Sequence, residues 1–348
     1  MGEHRSRLVR AFRAIGNPQR PKSLRIPVNE LLREAQADVG NIPVQDCHSI
    51  LVAFAKLFKL PHRDTLGNSH CNSSLIPHPV TVAPLASSLI ARIVSSDAPF
   101  QTIAGTFGLV HRLGIDWSRH LTVEDREKFV RDIQSRFPAI VEQLLVAHSL
   151  AEKDITGLGY CCEAASHFGV TSPEFQQLVE TVVSETSNPI PPLSVVQLLH
   201  FFSMSESPNP RAVSRLLDQV AFGIEKYSPQ NLVQILGAMR SLAISSDQKV
   251  LESIGDRLSR NCGQMRFEDC VTALNCMAQL TCNSNSSLTD FARSMQRRCT
   301  VLVVTSAKPL PLTMTYTIMS SFNKIAQISG STVPTPAIPF IHTQLIAS

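Results

Sequence analysis

The sequence predicts an all-α protein, an α-solenoid of about seven helix-turn-helix repeats of roughly 37 residues. One apolar helix pattern recurs along the chain, with three successive intervals of 37, 37 and 38 residues. A second helix with its own start signal follows most copies of that pattern. Hydrophobic residues make up 43% of the chain and charged residues 17%, which is typical of a chain that folds around a core.

The clearest copy of the pattern is SPQNLVQILGAMRSLAI, residues 228–244. Its apolar residues recur at spacings of three and four, as along the buried face of an amphipathic helix. They are Leu232, Ile235, Leu236, Met239 and Leu242. Ser228 is placed to cap the first turn, and Pro229 occupies a position where a missing N–H costs nothing.

Six further stretches repeat these five positions, and we call all seven the A helices. In chain order the positions are Cys47, Ile50, Leu51, Phe54 and Leu57; Ile103, Thr106, Phe107, Val110 and Leu113; Leu158, Cys161, Cys162, Ala165 and Phe168; Val195, Leu198, Leu199, Phe202 and Ser205; Cys270, Ala273, Leu274, Met277 and Leu280; and Thr315, Ile318, Met319, Phe322 and Ile325. The last interval is 45 residues, and the first two copies are more widely spaced.

A second series, the B helices, is predicted between these copies. The start signals are Thr122 with Asp125, Ser172–Pro173, Asn209–Pro210 and a capping box of Ser245 with Gln248. The first of these helices is expected to span TVEDREKFVRDIQSRF, and the last two SSLTDFARSMQRRC and TPAIPFIHTQLIAS. One helix pair cannot bury both of its faces, so stacked pairs would complete a continuous core. The alternative is a helical bundle whose amphipathic helices resemble one another.

The chain divides into a basic arm, residues 1–25, and a repeat domain, residues 26–348. The arm holds seven basic residues and one acid, a net charge of +6, whereas the rest of the chain carries −2. An Arg-rich, acid-poor and partly apolar opening predicts a mitochondrial import sequence. The alternatives are a permanent arm that contacts phosphates, through Arg5, Arg7, Arg10 and Arg13, and a solvated tail.

A long loop, residues 61–80, is predicted inside the first repeat. It contains His62, His70, Cys71 and His78, but their spacing matches no usual zinc module, so we expect no metal site. The nine cysteines lack framework spacing and are expected to be reduced core residues. No segment approaches the roughly 20 apolar residues of a membrane span, and a soluble protein is therefore expected.

No pattern of catalytic or cofactor-binding residues is found. The stretch GLGYCC lacks the third glycine of a dinucleotide turn, and Gly157 and Gly159 are expected to permit close helix packing. The charges of the first B helix alternate in sign, which is typical of a solvated face. His111, His167 and His200 share an A-helix phase and are expected to pack between repeats, the alternative being one exposed surface. We expect no catalysis, no cofactor and no small-molecule substrate.

The A-helix pattern resembles a known consensus. SPQNLVQILGAMRSLAI, RFEDCVTALNCMAQL (266–280) and DCHSILVAFAKLFKL (46–60) are similar to the repeats of organellar octotricopeptide and heptatricopeptide proteins and of FAST-kinase-like, RAP-domain proteins. The resemblance covers roughly residues 42–348, without a recognisable RAP domain. It implies a mitochondrial matrix protein of a ribonucleoprotein assembly, in RNA processing, editing or stability or in the mitochondrial ribosome.

The sequence thus favours a non-catalytic scaffold that contacts mitochondrial RNA and the other protein subunits of a large complex. Candidate contact residues at predicted exposed A-helix positions are Gln197, His200, Gln234, Arg240, Asn275, Gln279, Asn323 and Lys324. A basic patch is expected at Arg293, Arg297 and Arg298 on one B helix. The alternative is a protein–protein scaffold of the HEAT or armadillo kind with no RNA contact, and a third possibility is an enzyme whose site lies in the 61–80 loop.

Overall fold

The computed structural model describes residues 28–58, 79–145 except 114 and 116, 152–169, 172–244, 248–280, 286–305 and 312–329. All regular elements in this part of the chain are helices, and the predicted all-α class is confirmed there. The basic arm, nearly all of the 61–80 loop, Ser245 and the last predicted B helix lie outside the described residues. The chain forms two compact units that divide between Val179 and Glu180.

The first unit contains eight described helices. They are α1 (Val28–Ala37), α2 (Val44–Phe58), α3 (Pro79–Val94), α4 (Phe100–Arg112), α5 (Trp117–His120), α6 (Val123–Gln134), α7 (Phe137–Leu145) and α8 (Glu152–Phe168). A 3₁₀ turn, Val39–Asn41, separates α1 from α2. Helix α9 (Pro173–Glu185) spans the division between the units.

The second unit contains seven further described helices. They are α10 (Pro192–Met204), α11 (Pro210–Phe222), α12 (Pro229–Ser241), α13 (Gln248–Arg260), α14 (Phe267–Leu280), α15 (Ser286–Thr305) and α16 (Leu312–Ser329). Two 3₁₀ turns, Ile224–Lys226 and Cys262–Gln264, follow α11 and α13. All seven predicted A helices are therefore helices in the structure: α2, α4, α8, α10, α12, α14 and α16.

Helix starts follow the capping signals of the sequence. The Ser228 hydroxyl accepts a hydrogen bond from the backbone N–H of Asn231, and Pro229 begins α12. The Asn209 side chain accepts one from the Arg211 N–H at the start of α11. Side-chain oxygens at these positions satisfy N–H groups that have no partner within the helix.

In the second unit, the A helices pack in series, α10 against α12, α12 against α14, and α14 against α16. The B helices also pack in series, α11 against α13 and α13 against α15. Each A helix contacts the B helix that follows it, in the pairs α10–α11, α12–α13 and α14–α15. This unit therefore repeats one helix pair with constant neighbours.

The first unit is less regular. Its A helices also pack in series, α2 against α4 and α4 against α8, but α3 contacts α1, α2 and α6. The prediction of one continuous B helix over TVEDREKFVRDIQSRF is wrong at its end, because α6 stops at Gln134 and α7 begins at Phe137. Pro138 favours this arrangement, since proline is tolerated in the first turn of a helix but not in its interior.

The repeated apolar positions form the core of each unit. The first four are buried wherever their side chains are described, except Met319, which is partly exposed. The fifth position is mixed, with Leu280 and Ile325 buried but Ser205 and Leu242 partly exposed. Ser205 and Leu242 both lie just beyond the ends of their helices, which are Met204 in α10 and Ser241 in α12.

In the second unit each B helix carries an arginine that donates to a backbone carbonyl near the end of the preceding B-type helix. The acceptor lies in the last turn of that helix or in the segment just after it. Arg215 donates to the Ser184 carbonyl at 2.7 Å, Arg257 to the Glu225 carbonyl at 3.2 Å, and Arg298 to the Met265 carbonyl at 3.1 and 2.9 Å. The sequence separations are 31, 32 and 33 residues. We call Arg215, Arg257 and Arg298 the linking arginines. They give carbonyl oxygens at chain reversals a charged donor, so successive pairs are joined by hydrogen bonds as well as by apolar contact.

Candidate binding surfaces

The exposed residues of the A helices in the second unit are mainly polar. An A helix here contacts neighbouring A helices and its B helix, which leaves one side accessible. The exposed residues of these A helices, here called the A-helix surface, are Leu193, His200 and Met204 on α10; Gln234, Arg240 and Ser241 on α12; Glu268, Thr272 and Gln279 on α14; and Thr313, Tyr316, Ser320, Asn323, Lys324 and Gln327 on α16. Among these described residues the one acid is Glu268, whereas Arg240 and Lys324 are cationic.

Most predicted contact residues lie on this A-helix surface. His200, Gln234, Arg240, Gln279, Asn323 and Lys324 are all exposed. Asn275 is half-buried and accepts a hydrogen bond from the Gln279 amide at 2.9 Å. These two side chains therefore form a polar pair along α14.

The prediction that Gln197 is exposed is wrong. Its side chain is only 5% accessible, although Gln234 holds the same register position and is exposed. Helix α10 buries six consecutive residues, from Ser194 to Leu199, because it is covered nearly all round at this level. Gln197 is therefore part of the packing of α10 and cannot contact a ligand on the A-helix surface.

Two of the three phase-related histidines are exposed, so the expectation that they pack between repeats is wrong for His167 and His200. The side chain of His111 lies outside the described residues. The imidazole of His167 lies edge-on to Phe168, with ring centroids 4.9 Å apart. His200 belongs to the A-helix surface of the second unit and His167 to the first unit, so each is considered with its own surroundings.

Arg240 lies beside the next A helix. Burial raises the pKa of the Cys276 thiol on α14, and the positive charge of Arg240 acts in the opposite direction. The guanidinium is therefore close to α14, where Asn275 and Gln279 form their polar pair.

The expected basic patch on α15 divides into residues of different roles. Arg297 is exposed, and Arg293 is exposed with its guanidinium 3.2 Å from the Asp290 carboxylate. Arg298 is half-buried and holds the Met265 carbonyl with two hydrogen bonds. The prediction of a three-arginine contact patch is thus corrected to two exposed arginines and one linking arginine.

Replacing Arg298 with glutamine is expected to lower the free energy of unfolding by about 1.5–3 kcal/mol, because a charged donor to a partly buried carbonyl is lost. The matched control is Arg297→Gln, one residue earlier and exposed, which should change stability by less than about 0.5 kcal/mol. Urea denaturation followed by circular dichroism measures both. Equal effects of the two substitutions would contradict the assignment of Arg298 as a linking arginine.

Most described cysteines are buried, as expected. Burial raises the pKa of the Cys161 and Cys162 thiols, which keeps them protonated and unreactive. Cys270 and Cys299 contact each other between α14 and α15, and this hydrogen bond together with burial raises the pKa of Cys270. All described cysteines are free thiols. Within the described part of the chain, no group of three His, Cys, Asp or Glu side chains is arranged to hold a metal ion.

Sequence reasoning missed a pocket in the first unit. It lies between α5, α6 and the end of α8 and has a cavity volume of about 710 Å³. The lining residues are Trp117, Arg126, Glu127, Val130, Arg131, His167 and Phe168. The interleaved charges of α6 predicted a solvated face, and the Arg131–Glu127 contact at 3.8 Å fits that prediction. The signal that could have found the pocket was the single tryptophan of the chain, six residues before this helix.

No protein-family model matches the chain, and no curated protein matches it significantly. None of the described helices is both long enough and apolar enough to span a membrane.

Proposed function

We propose that the chain is a non-catalytic α-solenoid of about seven helix pairs that holds RNA in a mitochondrial ribonucleoprotein assembly. The serial packing of α10, α12, α14 and α16 supports the solenoid, because each helix pair contacts its sequence neighbours. The resemblance of the repeated phrase to organellar helical repeats supports the assignment to RNA processing, editing or stability or to the mitochondrial ribosome. No step in this role makes or breaks a covalent bond.

The observation that carries the proposal is the composition of the A-helix surface. Its exposed residues are mainly amides and hydroxyls with two cations, Arg240 and Lys324, and one acid, Glu268. The exposed face of a B helix differs in its density of charge, since all three exposed residues of α13, Lys249, Asp256 and Arg260, are charged. Amide and basic side chains can contact base edges and phosphates, and a nearly acid-free surface does not repel the RNA backbone.

The modest charge of this surface suggests a role inside an assembly. The three linking arginines lie on B helices and donate to backbone carbonyls, and Arg257 is also paired with the Glu225 carboxylate, so they add no cation to the A-helix surface. Because phosphate neutralisation supplies most non-specific affinity, the chain alone should bind RNA weakly and depend on partner proteins for tight binding. The composition of residues 1–25 supports import into the mitochondrial matrix.

Purified full-length protein is expected to bind mixed-sequence single-stranded RNA at low salt and to lose it as salt rises. Removing two cations with Arg240→Gln and Lys324→Gln should reduce the slope of log affinity against log salt by about 1.4, about 0.7 per lost phosphate contact. Fluorescence anisotropy over a salt series measures the slope. The same tagged chain should be recovered with the mitochondrial fraction of cells.

The control removes the same charge elsewhere. Arg211→Gln with Lys249→Gln takes two exposed cations from B helices α11 and α13. If this pair lowers the slope as much as the A-helix pair does, the A-helix surface is not the contact site. If the unmodified protein shows no binding to RNA at low salt, the proposal of RNA binding is wrong.

The alternative function is a protein–protein scaffold with no RNA contact. Exposed large apolar side chains favour this alternative. Leu193 and Met204 are exposed on α10, and Tyr316 is 75% exposed on α16. Aromatic residues and methionine are enriched in protein interfaces. This function is the one to expect if the RNA titration shows no binding while the chain still co-purifies with defined stoichiometric partners.

A further inference from the structure

The pocket of the first unit has an aromatic wall. Trp117, Phe129 and Phe168 form one cluster, with ring centroids 5.1 Å apart for Trp117–Phe129, 5.4 Å for Phe129–Phe168 and 6.5 Å for Trp117–Phe168. Trp117 and Phe129 are buried, which fixes the cluster, whereas Phe168 is partly exposed. Trp117 and Phe168 line the cavity. Trp117 is only 4% exposed and the two rings are inclined at 63°, so a planar ligand can lie flat against the partly exposed Phe168 ring, beside Trp117.

The opposite side of the pocket carries charge. Arg126 and Arg131 follow each other at i and i+5 on α6, and His167 contributes a ring from the last turn of α8. Arg126 is half-buried in the wall, so part of its desolvation cost is already met before a ligand binds. Glu127 contacts Arg131 at 3.8 Å and offsets one of the two guanidinium charges. The lining therefore keeps a net positive charge beside an aromatic surface.

These features select a class of ligand. The cavity volume of about 710 Å³ is suited to a small molecule or a single monomer unit of a polymer. An apolar ligand would offer no acceptor to the half-buried Arg126 guanidinium, and a simple anion would leave the aromatic wall unused. A nucleotide satisfies both sides, because its base is planar and its phosphate accepts paired hydrogen bonds from arginine.

We propose that the pocket between α5, α6 and α8 binds one nucleotide, with its base against the Phe168 ring beside Trp117 and its phosphate on Arg126 and Arg131. The nucleotide is either free in solution or an unstacked unit of an RNA strand, and the chemistry of recognition is the same for both. The proposal does not rest on RNA binding by the A-helix surface, which belongs to the second unit.

The chain provides its own reporter for this site. Trp117 is its one tryptophan, so intrinsic tryptophan fluorescence of the full-length protein reports on the pocket alone. The titrants are uridine monophosphate, adenosine monophosphate, a short uridine oligonucleotide and inorganic phosphate. Fluorescence is excited at the red edge of tryptophan absorption. A saturable change with a nucleotide titrant is expected, and phosphate alone should bind far more weakly.

Arg126→Gln is expected to raise the Kd for the nucleotide about tenfold, because a charge-assisted contact to phosphate is lost. The matched control is Lys128→Gln, an exposed cation of the same helix outside the pocket lining, which should leave the Kd unchanged. Arg131→Gln gives a second test if Arg126→Gln does not fold, as judged by circular dichroism. The A-helix double variant Arg240→Gln with Lys324→Gln should not alter the Trp117 titration.

The titrations decide whether the pocket binds a nucleotide and in which form. Equal affinity for mononucleotide and oligonucleotide supports a free nucleotide, and binding of the oligonucleotide alone supports an RNA unit. Absence of a saturable change with every nucleotide titrant overturns the proposal, as does phosphate binding as tightly as the nucleotides. Loss of nucleotide binding in Lys128→Gln to the same extent as in Arg126→Gln would also overturn it. Each of these results leaves the RNA titration of the A-helix surface to be judged separately.

Discussion

Replacing Phe202 with alanine is expected to lower the free energy of unfolding by about 3–5 kcal/mol. The ring is completely buried in α10, a helix that packs against both α11 and α12. Truncation removes the apolar contacts of the ring and leaves a cavity that the neighbouring helices fill only in part, since protein interiors are close-packed. Urea denaturation monitored by circular dichroism measures the loss.

The matched control is the same substitution at Phe222. This ring is 94% exposed at the end of α11, so Phe222→Ala should change stability by less than about 0.5 kcal/mol. A loss below about 1 kcal/mol for Phe202→Ala, or a loss as large for Phe222→Ala, would show that the register of the A helices is misassigned. The two variants separate burial from residue type because only the environment differs.

The position of Phe202 holds a large apolar residue in every A helix of the second unit. In the second unit the equivalent residues are Met239, Met277 and Phe322, and all are buried. Each belongs to an A helix that contacts the A helices before or after it in the second unit. Such a side chain stabilises its own helix pair and the neighbouring ones, so truncations at adjacent repeats should not be independent, whereas those two repeats apart should be nearly additive.

Features set by local sequence were predictable. The spacing of Leu232, Ile235, Leu236 and Met239 identifies a buried helix face because side chains three and four apart lie on one side of a helix. The Ser228 cap is equally local, since its bond reaches only to Asn231. The helix at this position therefore follows from residues close together in the chain, and so does the equivalent helix of each other repeat.

Features set by neighbours in space were not predictable. Gln197 and Gln234 occupy the same register position, and only the packing around α10 makes the first buried. Arg297 and Arg298 are adjacent arginines, and only the second meets a carbonyl 33 residues earlier. The pocket beside Trp117 likewise needs residues from three helices. A periodicity identifies the faces of one helix, but not which groups of other helices lie opposite them.

Replacing Gly157 with leucine is expected to lower the free energy of unfolding strongly, because Gly157 lies where α8 packs closely against α4. A Cβ atom at Gly157 would lie 2.9 Å from the Phe100 ring and 3.1 Å from the Cβ of Ala104, both on α4. Phe100 and Ala104 are both buried, so the remaining leucine atoms would have to push the two helices apart. The free energy of unfolding should fall by about 3 kcal/mol, the upper end of the usual cost of overpacking.

Gly237→Leu is the matched control, because it makes the same change within α12. No atom lies within 4 Å of a Cβ built at Gly237, so the side chain meets no obstacle. Glycine is a poor helix former and leucine a good one, and this variant should therefore gain about 0.5–1 kcal/mol of stability. Opposite signs for one substitution at two glycines, measured by urea denaturation, would show that Gly157 is required by helix approach and not by backbone freedom. Stabilisation by both would mean that α4 and α8 do not pack as closely as the glycine implies.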